Sequence, residues 1–367
     1  MRVRRILAAG LTVALFGAGT AAAPAQAPGT PEERSFRTAD GVKLHGLFYK
    51  SPKGAAAPVV IMLHAYKANP DEAVWAETAK QLVKRGYHVF RFDFRGHGKS
   101  TDIVPDEFWS NPVNKAMVRV SPGSTAATDS SIKFEDFRDS YYPMLVQDLA
   151  AVRNQIDLMN DNGDLNASSI YLFGAGDAVN VGMFFLATEW LRERRKPNLA
   201  VPPPYVSPRR GLFPPSADPA GLDYIGAVWV GPAKAPRGSI SSNDLRKWVL
   251  SPYAFKMRNE TAMLFVYGEK DRAAESYSKT LFNEVLAVNA RAASGVGNLM
   301  KPEWTFLRDV KGSGNTGMKL LGNQLSTEKT IEDFFATIDK ERKGRTRKIR
   351  EWDKPLYIDV LGFGAMR

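Results

Sequence analysis

The stretch that most constrains this chain is 170–182, which reads Ile-Tyr-Leu-Phe-Gly-Ala-Gly-Asp-Ala-Val-Asn-Val-Gly. Four apolar residues of strand type run into a turn of small residues. An apolar helical stretch, 181–190, follows at once. A strand without polar alternation is the kind buried on both faces of a parallel sheet. A turn this abrupt needs glycine where the backbone is left-handed or another segment comes close. The stretch therefore predicts a strand, a sharp elbow and a helix, set in a sheet that helices cover.

The rest of the chain supplies such a sheet. Asp40-Gly41 between two apolar runs predicts an opening hairpin. Residues 58–63 and 87–92 read as buried strands. Asp71 is placed to cap a helix running to Arg85 between them, which Gly86 ends. Residues 102–134 read as an irregular insertion containing Phe108-Trp109, and 140–160 as a helix. Further strands are expected at 224–230, 261–267 and 304–307, and helices at 243–257, 274–287 and 328–338. The proline-rich segment 196–222 reads as a surface loop. Alternating strands and helices imply a mostly parallel central sheet with helices on both faces. Reactive groups in such sheets collect at the carboxyl ends of the strands.

Composition matters at the two ends. Arg2, Arg4 and Arg5 precede the apolar run 6–18 and a small-residue stretch, so residues 1–25 read as a signal peptide cut after Ala22 or Ala25. A short membrane anchor is the alternative. Residues 26–33 read as a linker. At the other end, 340–350 holds seven basic residues and one acidic one. The formal charge of +11 is therefore concentrated in the leader and in a segment read as a basic C-terminal tail, 339–367. Such a tail can be a solvated arm, or can meet an anionic surface or a protein partner; specific nucleic-acid binding is not expected. The chain has no cysteine, which excludes disulfides, a thiol nucleophile and thiolate metal ligands.

In their order, these pieces resemble the α/β-hydrolase superfamily over residues 34–338, implying a three-layer α/β-hydrolase fold. Residues 93–100, Asp-Phe-Arg-Gly-His-Gly-Lys-Ser, match that family's D-x-R-G-x-G-x-S loop. Leu63-His64-Ala65 resembles its oxyanion loop. The elbow Gly174-Ala175-Gly176-Asp177-Ala178 stands where the family has G-x-S-x-G. The resemblance puts Gly176 at the nucleophile, Asp271 at the triad acid and Asn315 at the triad histidine.

Acyl transfer by such a triad needs an oxygen nucleophile and a base. Glycine has no side chain, and asparagine does not take a proton near neutrality. The four histidines, His45, His64, His88 and His97, all lie in the first third of the chain, so no shift of alignment recovers a late one. The expectation is an exported, non-catalytic hydrolase-like protein without a cofactor or metal. Its backbone amides at Tyr66 and Asp177, beside Ala65, would still present an oxyanion cradle to a small ester or acid, with Phe108 and Trp109 as aromatic walls. The alternative is a serine-independent hydrolase using Asp177, which otherwise helps start the following helix. Two narrower alternatives stay open. His64 and His97 would form a metal pair with Asp93 or Asp271, or else brace their loops.

Overall fold

The computed structural model describes residues 30–70, 72–121, 123–126, 128–197, 205–206, 218–249, 256–288, 304–322, 326–342 and 344–364. The leader 1–25, part of the linker, Asp71 and most of the proline-rich segment lie outside them.

Strands β1 (Glu32–Arg37) and β2 (Lys43–Tyr49) form the opening hairpin. They are followed by β3 (Val59–Leu63), β4 (His88–Phe92), β5 (Ile170–Ala175), β6 (Tyr205–Val206), β7 (Tyr224–Val230), β8 (Ala262–Gly268), β9 (Thr305–Val310) and β10 (Tyr357–Ile358). Eight of them make one sheet in the order β1-β2-β4-β3-β5-β7-β8-β9, antiparallel through β1, β2 and β4 and parallel from there on. The elbow strand β5 sits at the middle, between β3 and β7.

The lack of polar alternation in the central strands has its physical counterpart. Val59, Ile61, Leu63 and Leu172 join one buried cluster, and Val60, Met62, Tyr171 and Phe173 join the other. Helices α1 (Ala73–Lys84) and α9 (Thr327–Ile338) cover the second cluster through Trp75, Val83, Ile331 and Phe335. Helices α4 (Val146–Asn162), α5 (Ala178–Glu189), α6 (Ser242–Val249), the short α7 (Met257–Glu260) and α8 (Arg272–Thr280) cover the first. The three-layer expectation is met. No helix among the described residues is long and apolar enough to cross a membrane.

Three expectations need correction. The insertion is not irregular throughout: it carries α2 (Pro105–Ser110) and α3 (Pro112–Met117), each with proline at its start, where the missing N–H costs nothing. Phe108 and Trp109 are buried in the core rather than walling a pocket, and Trp109 Nε1 donates to the Asp129 carbonyl at 3.1 Å. Helix α4 begins at Val146, after a 3-10 segment, Asp139–Leu145, that contains Pro143.

The third correction concerns the basic tail. Residues 345–360 form a strap along α4, whose amide side chains take up its backbone. Asn160 Nδ2 donates to the Lys348 carbonyl (2.8 Å), and Asn154 Nδ2 to that of Trp352 (3.1 Å). Gln147 both donates to the Ile358 carbonyl (2.6 Å) and accepts from its N–H (2.9 Å). Arg350, Trp352, Ile358 and Val360 are buried, and β10 pairs in parallel with β6. Arg347 and Lys348 remain exposed. What composition presents as a charged arm is largely part of the packed body.

Candidate active site

The elbow is built as its small residues require. Gly174 lies so close to the Trp229 ring that a methyl there would fall 2.8 Å from it. Gly176 has φ of 59°, the left-handed region that favours glycine. The turn is pinned from both sides: Gly176 N–H donates to the Val230 carbonyl at 3.0 Å, and Ala233 N–H to the Gly176 carbonyl at 3.1 Å. Helix α5 starts directly afterwards at Ala178. The left-handed apex is thus at 176, not 177. This fixes the register of the turn and puts Gly176 at its apex.

Asp177 differs from its expected role. Its Oδ1 accepts the Tyr66 N–H at 2.9 Å, and its own amide also bonds the carboxylate. These are the two N–H groups expected to face an open cradle. They are instead taken by the residue that follows the elbow. Burial pushes the Asp177 carboxyl up to about 7, against the pull of those two amides and of Lys67. The surrounding groups are closed on one another. Tyr142 Oη donates to the Asp177 carbonyl at 2.5 Å, and Asn180 Nδ2 donates to the carbonyls of Asp177 (2.8 Å) and Ala233 (2.9 Å). The Tyr277 hydroxyl donates to Asn180 Oδ1.

The histidines are braces. His64 is fully buried; its Nε2 accepts the Phe94 N–H at 3.0 Å, so its Nδ1 carries the proton and donates to the Ala65 carbonyl at 2.9 Å. His97 does the same between the Lys67 N–H (3.1 Å) and the Arg95 carbonyl (2.9 Å). Burial lowers His64 to about 3 and lowers His97 as well. With both nitrogens of each ring committed to backbone, the pair has no lone pair to offer a metal. No group of three or more His, Asp or Glu placed to hold a metal occurs among the described residues.

The late loops do not reach the elbow through the residues the resemblance marks. Asp271 is the N-cap of α8, accepting the Ala274 N–H at 3.0 Å. Asn315 turns its amide onto the Lys319 carbonyl at 3.0 Å. The residue of this loop that approaches the apex is Gly317, with φ of 50°; a methyl built on it would lie 4.0 Å from the Gly176 nitrogen. The structure therefore brings together Ala65, Tyr66, Gly176 and Asp177, and leaves Asp271 and Asn315 to local tasks. Tyr142, Asn180, Tyr277 and Gly317 were not singled out in the sequence; Asn180 and Gly317 lie beside marked positions, but nothing near Tyr142 or Tyr277 in the chain marks them.

One comparison by sequence agrees with this architecture. A family model described as alpha/beta hydrolase fold matches residues 58–158. No curated protein matches the sequence. Among solved structures, a Pyrococcus furiosus esterase, Pf2001, is 14% identical with a TM-score of 0.45, covering 84% of this chain and 92% of its own. A dienelactone hydrolase from Anabaena variabilis is 11% identical, TM-score 0.46, covering 84% and 98%. Esterase 2 of Thermogutta terrifontis, phosphorylated by paraoxon, is 14% identical, TM-score 0.48, covering 86% and 96%. Likenesses this distant carry no functional argument.

Proposed function

We propose that this protein, whose chain has the α/β-hydrolase fold, is a non-catalytic binding protein, exported by the leader 1–25, in which the hydrolytic site has become a structural element. The observation that carries the reading is the Tyr66 N–H bonded to the Asp177 carboxylate at 2.9 Å. An oxyanion hole lowers a barrier only if its donors are free for the charge that develops on the substrate oxygen. The carboxylate that such a donor already holds repels a second negative oxygen. With no side chain at Gly176 and every histidine other than His45 committed to backbone, neither nucleophile nor base is at hand.

The serine-independent alternative asks Asp177 to attack. It is the weaker reading, because the attacking carboxylate and the donors meant to stabilise the intermediate are the same hydrogen-bonded unit.

The test uses short p-nitrophenyl esters with the mature protein, Asp177→Asn and Asp177→Ala. The expected result is no turnover above buffer in any of the three. Turnover by the natural protein that disappears in Asp177→Asn overturns the reading in favour of the alternative.

A further inference from the structure

The elbow cradle presents the opposite polarity to an oxyanion hole. In such a hole, amide donors face the ligand. Here the Asp177 side chain lies across the Tyr66 N–H, its Oδ1 accepting at 2.9 Å. What the mouth offers a ligand is then a carboxylate. Asp177 is half-buried rather than sealed, as are Ala65 and Gly317 beside it. A methyl built on Gly317 meets one atom within 4 Å, the Gly176 nitrogen, so space is open next to the apex.

Two oxygens here lack a donor. No other described residue donates to Asp177 Oδ2, and Asp177 makes no ion pair among the described residues. Tyr66, 8% exposed, has its Oη buried without a hydrogen-bond partner among them. Its ring packs edge-on against Tyr142, whose hydroxyl reaches the Asp177 carbonyl. Burial first, then the charges of Asp139, Asp177 and Glu135, push the Tyr66 hydroxyl up, so it keeps its proton in a negative field. The cation acting on Asp177 is Lys67, which Asp139 holds at 3.0 Å and whose ammonium lies 5.2 Å from the Tyr66 ring centroid. That ring already meets one ammonium within the chain.

We propose that the elbow mouth binds the ammonium head of a primary amine, which donates to Asp177 Oδ2 and Tyr66 Oη. Both oxygens accept, and a half-buried carboxylate without a cationic partner favours a charged donor over a neutral one. The body of the ligand stays outside the mouth, so only the head needs room. The inference rests on the non-catalytic reading, since a carboxylate holding an ammonium is not free to attack an ester.

The head draws the proton off Asp177, whose carboxyl burial pushes up to about 7. The charged and titratable groups packed around it are Tyr66 and Lys67 after β3, His97 after β4, Glu135, Asp139 and Tyr142 before α4, and Tyr277 on α8. The three tyrosines are raised and His97 is lowered, all chiefly by burial, so none of these four changes charge between pH 6 and 8. Affinity therefore rises about tenfold from pH 6 to pH 8.

The experiment is isothermal titration of the mature chain with ethylammonium, ethanol, acetate and tetramethylammonium at one ionic strength. Ethylammonium is expected to bind saturably with that pH profile, ethanol and acetate not at all. Tetramethylammonium, which has the charge but no N–H, should bind at least tenfold more weakly. Asp177→Asn should abolish ethylammonium binding, and Tyr66→Phe should weaken it about fivefold. Should Tyr66→Phe fail to fold, Asp177→Asn and the pH profile decide. No ethylammonium binding, equal binding of ethanol or tetramethylammonium, or binding that Asp177→Asn leaves untouched overturns the proposal. Ester turnover that Asp177→Asn removes overturns the non-catalytic reading instead, so the two failures are told apart.

Discussion

The elbow and the cluster of ion pairs under the strap form an instructive pair. The elbow has the outline of a reactive site, yet most of its polar groups are spoken for: Tyr66 N–H by Asp177, the Asp177 carbonyl by Tyr142 and Asn180, Asn180 by Tyr277. The cluster under the strap has no such outline, yet it joins buried Arg153, Arg192 and Arg350 to Asp157, Glu189 and Asp223. Each region also keeps buried atoms that make no hydrogen bond among the described residues, Tyr66 Oη in the first and Arg153 Nη1 and Asp157 Oδ1 in the second. Resemblance directs attention to the first region; hydrogen-bond accounting directs it to the second.

The comparison can be broken most forcefully at the strap. Arg350→Ala removes one partner of buried Asp223, which keeps Arg153 at 2.6 Å, and the partner of Ser168 Oγ, each lost contact being 3.0 Å. A loss of about 2–3 kcal/mol is expected in urea unfolding, from the lost charge-assisted hydrogen bonds and the packing of a buried side chain. A loss close to zero would return the segment to the status of a solvated arm.

Asp177→Asn probes the elbow through pH. The native carboxyl titrates at about 7, above its ordinary value, so between the usual carboxylate range and 7 the native state binds more protons than the unfolded state. Asp177 therefore makes the protein less stable as pH rises through that window. Relative to the natural protein, Asp177→Asn should gain stability over the same window, reaching about 4 kcal/mol by about pH 8. His64 acts in the opposite direction: lowered to about 3, it stays neutral when folded, so stability drops as pH falls below the ordinary histidine value. The mutant–natural difference isolates the Asp177 contribution.

Asp271→Ala should cost about 1 kcal/mol, the usual worth of an N-cap, with no other consequence at the elbow. Asn315→Ala should change stability by less than about 0.5 kcal/mol, since it gives up one hydrogen bond at the surface. Larger effects from either would mean that the late loops still serve the elbow.

How much was legible follows from what is local. The sheet, the hairpin and the elbow could be read because strand patterning, turn residues and small-residue runs act over neighbouring positions. The left-handed apex at Gly176 is of this kind. The contact that ties the elbow to the loop after β3 is not: Tyr66 and Asp177 lie 111 residues apart, and no pattern near either announces the bond. The late loop misleads for a similar reason. Counting along it points to Asn315, but its path through space brings Gly317 to the apex.

The sequence by itself determined the three-layer α/β framework, the place of the elbow, the glycine at 176 and the lack of any histidine beyond His97. These are matters of residue identity and short-range periodicity. Only the tertiary structure decided that Asp177 holds the Tyr66 N–H, that Asp271 caps a helix, and that Arg350 of the supposed tail is buried in a strap packed along α4. Each of these depends on which distant groups can reach one another across the packed core, and hydrogen-bond and charge pairing at that range are set by the fold as a whole.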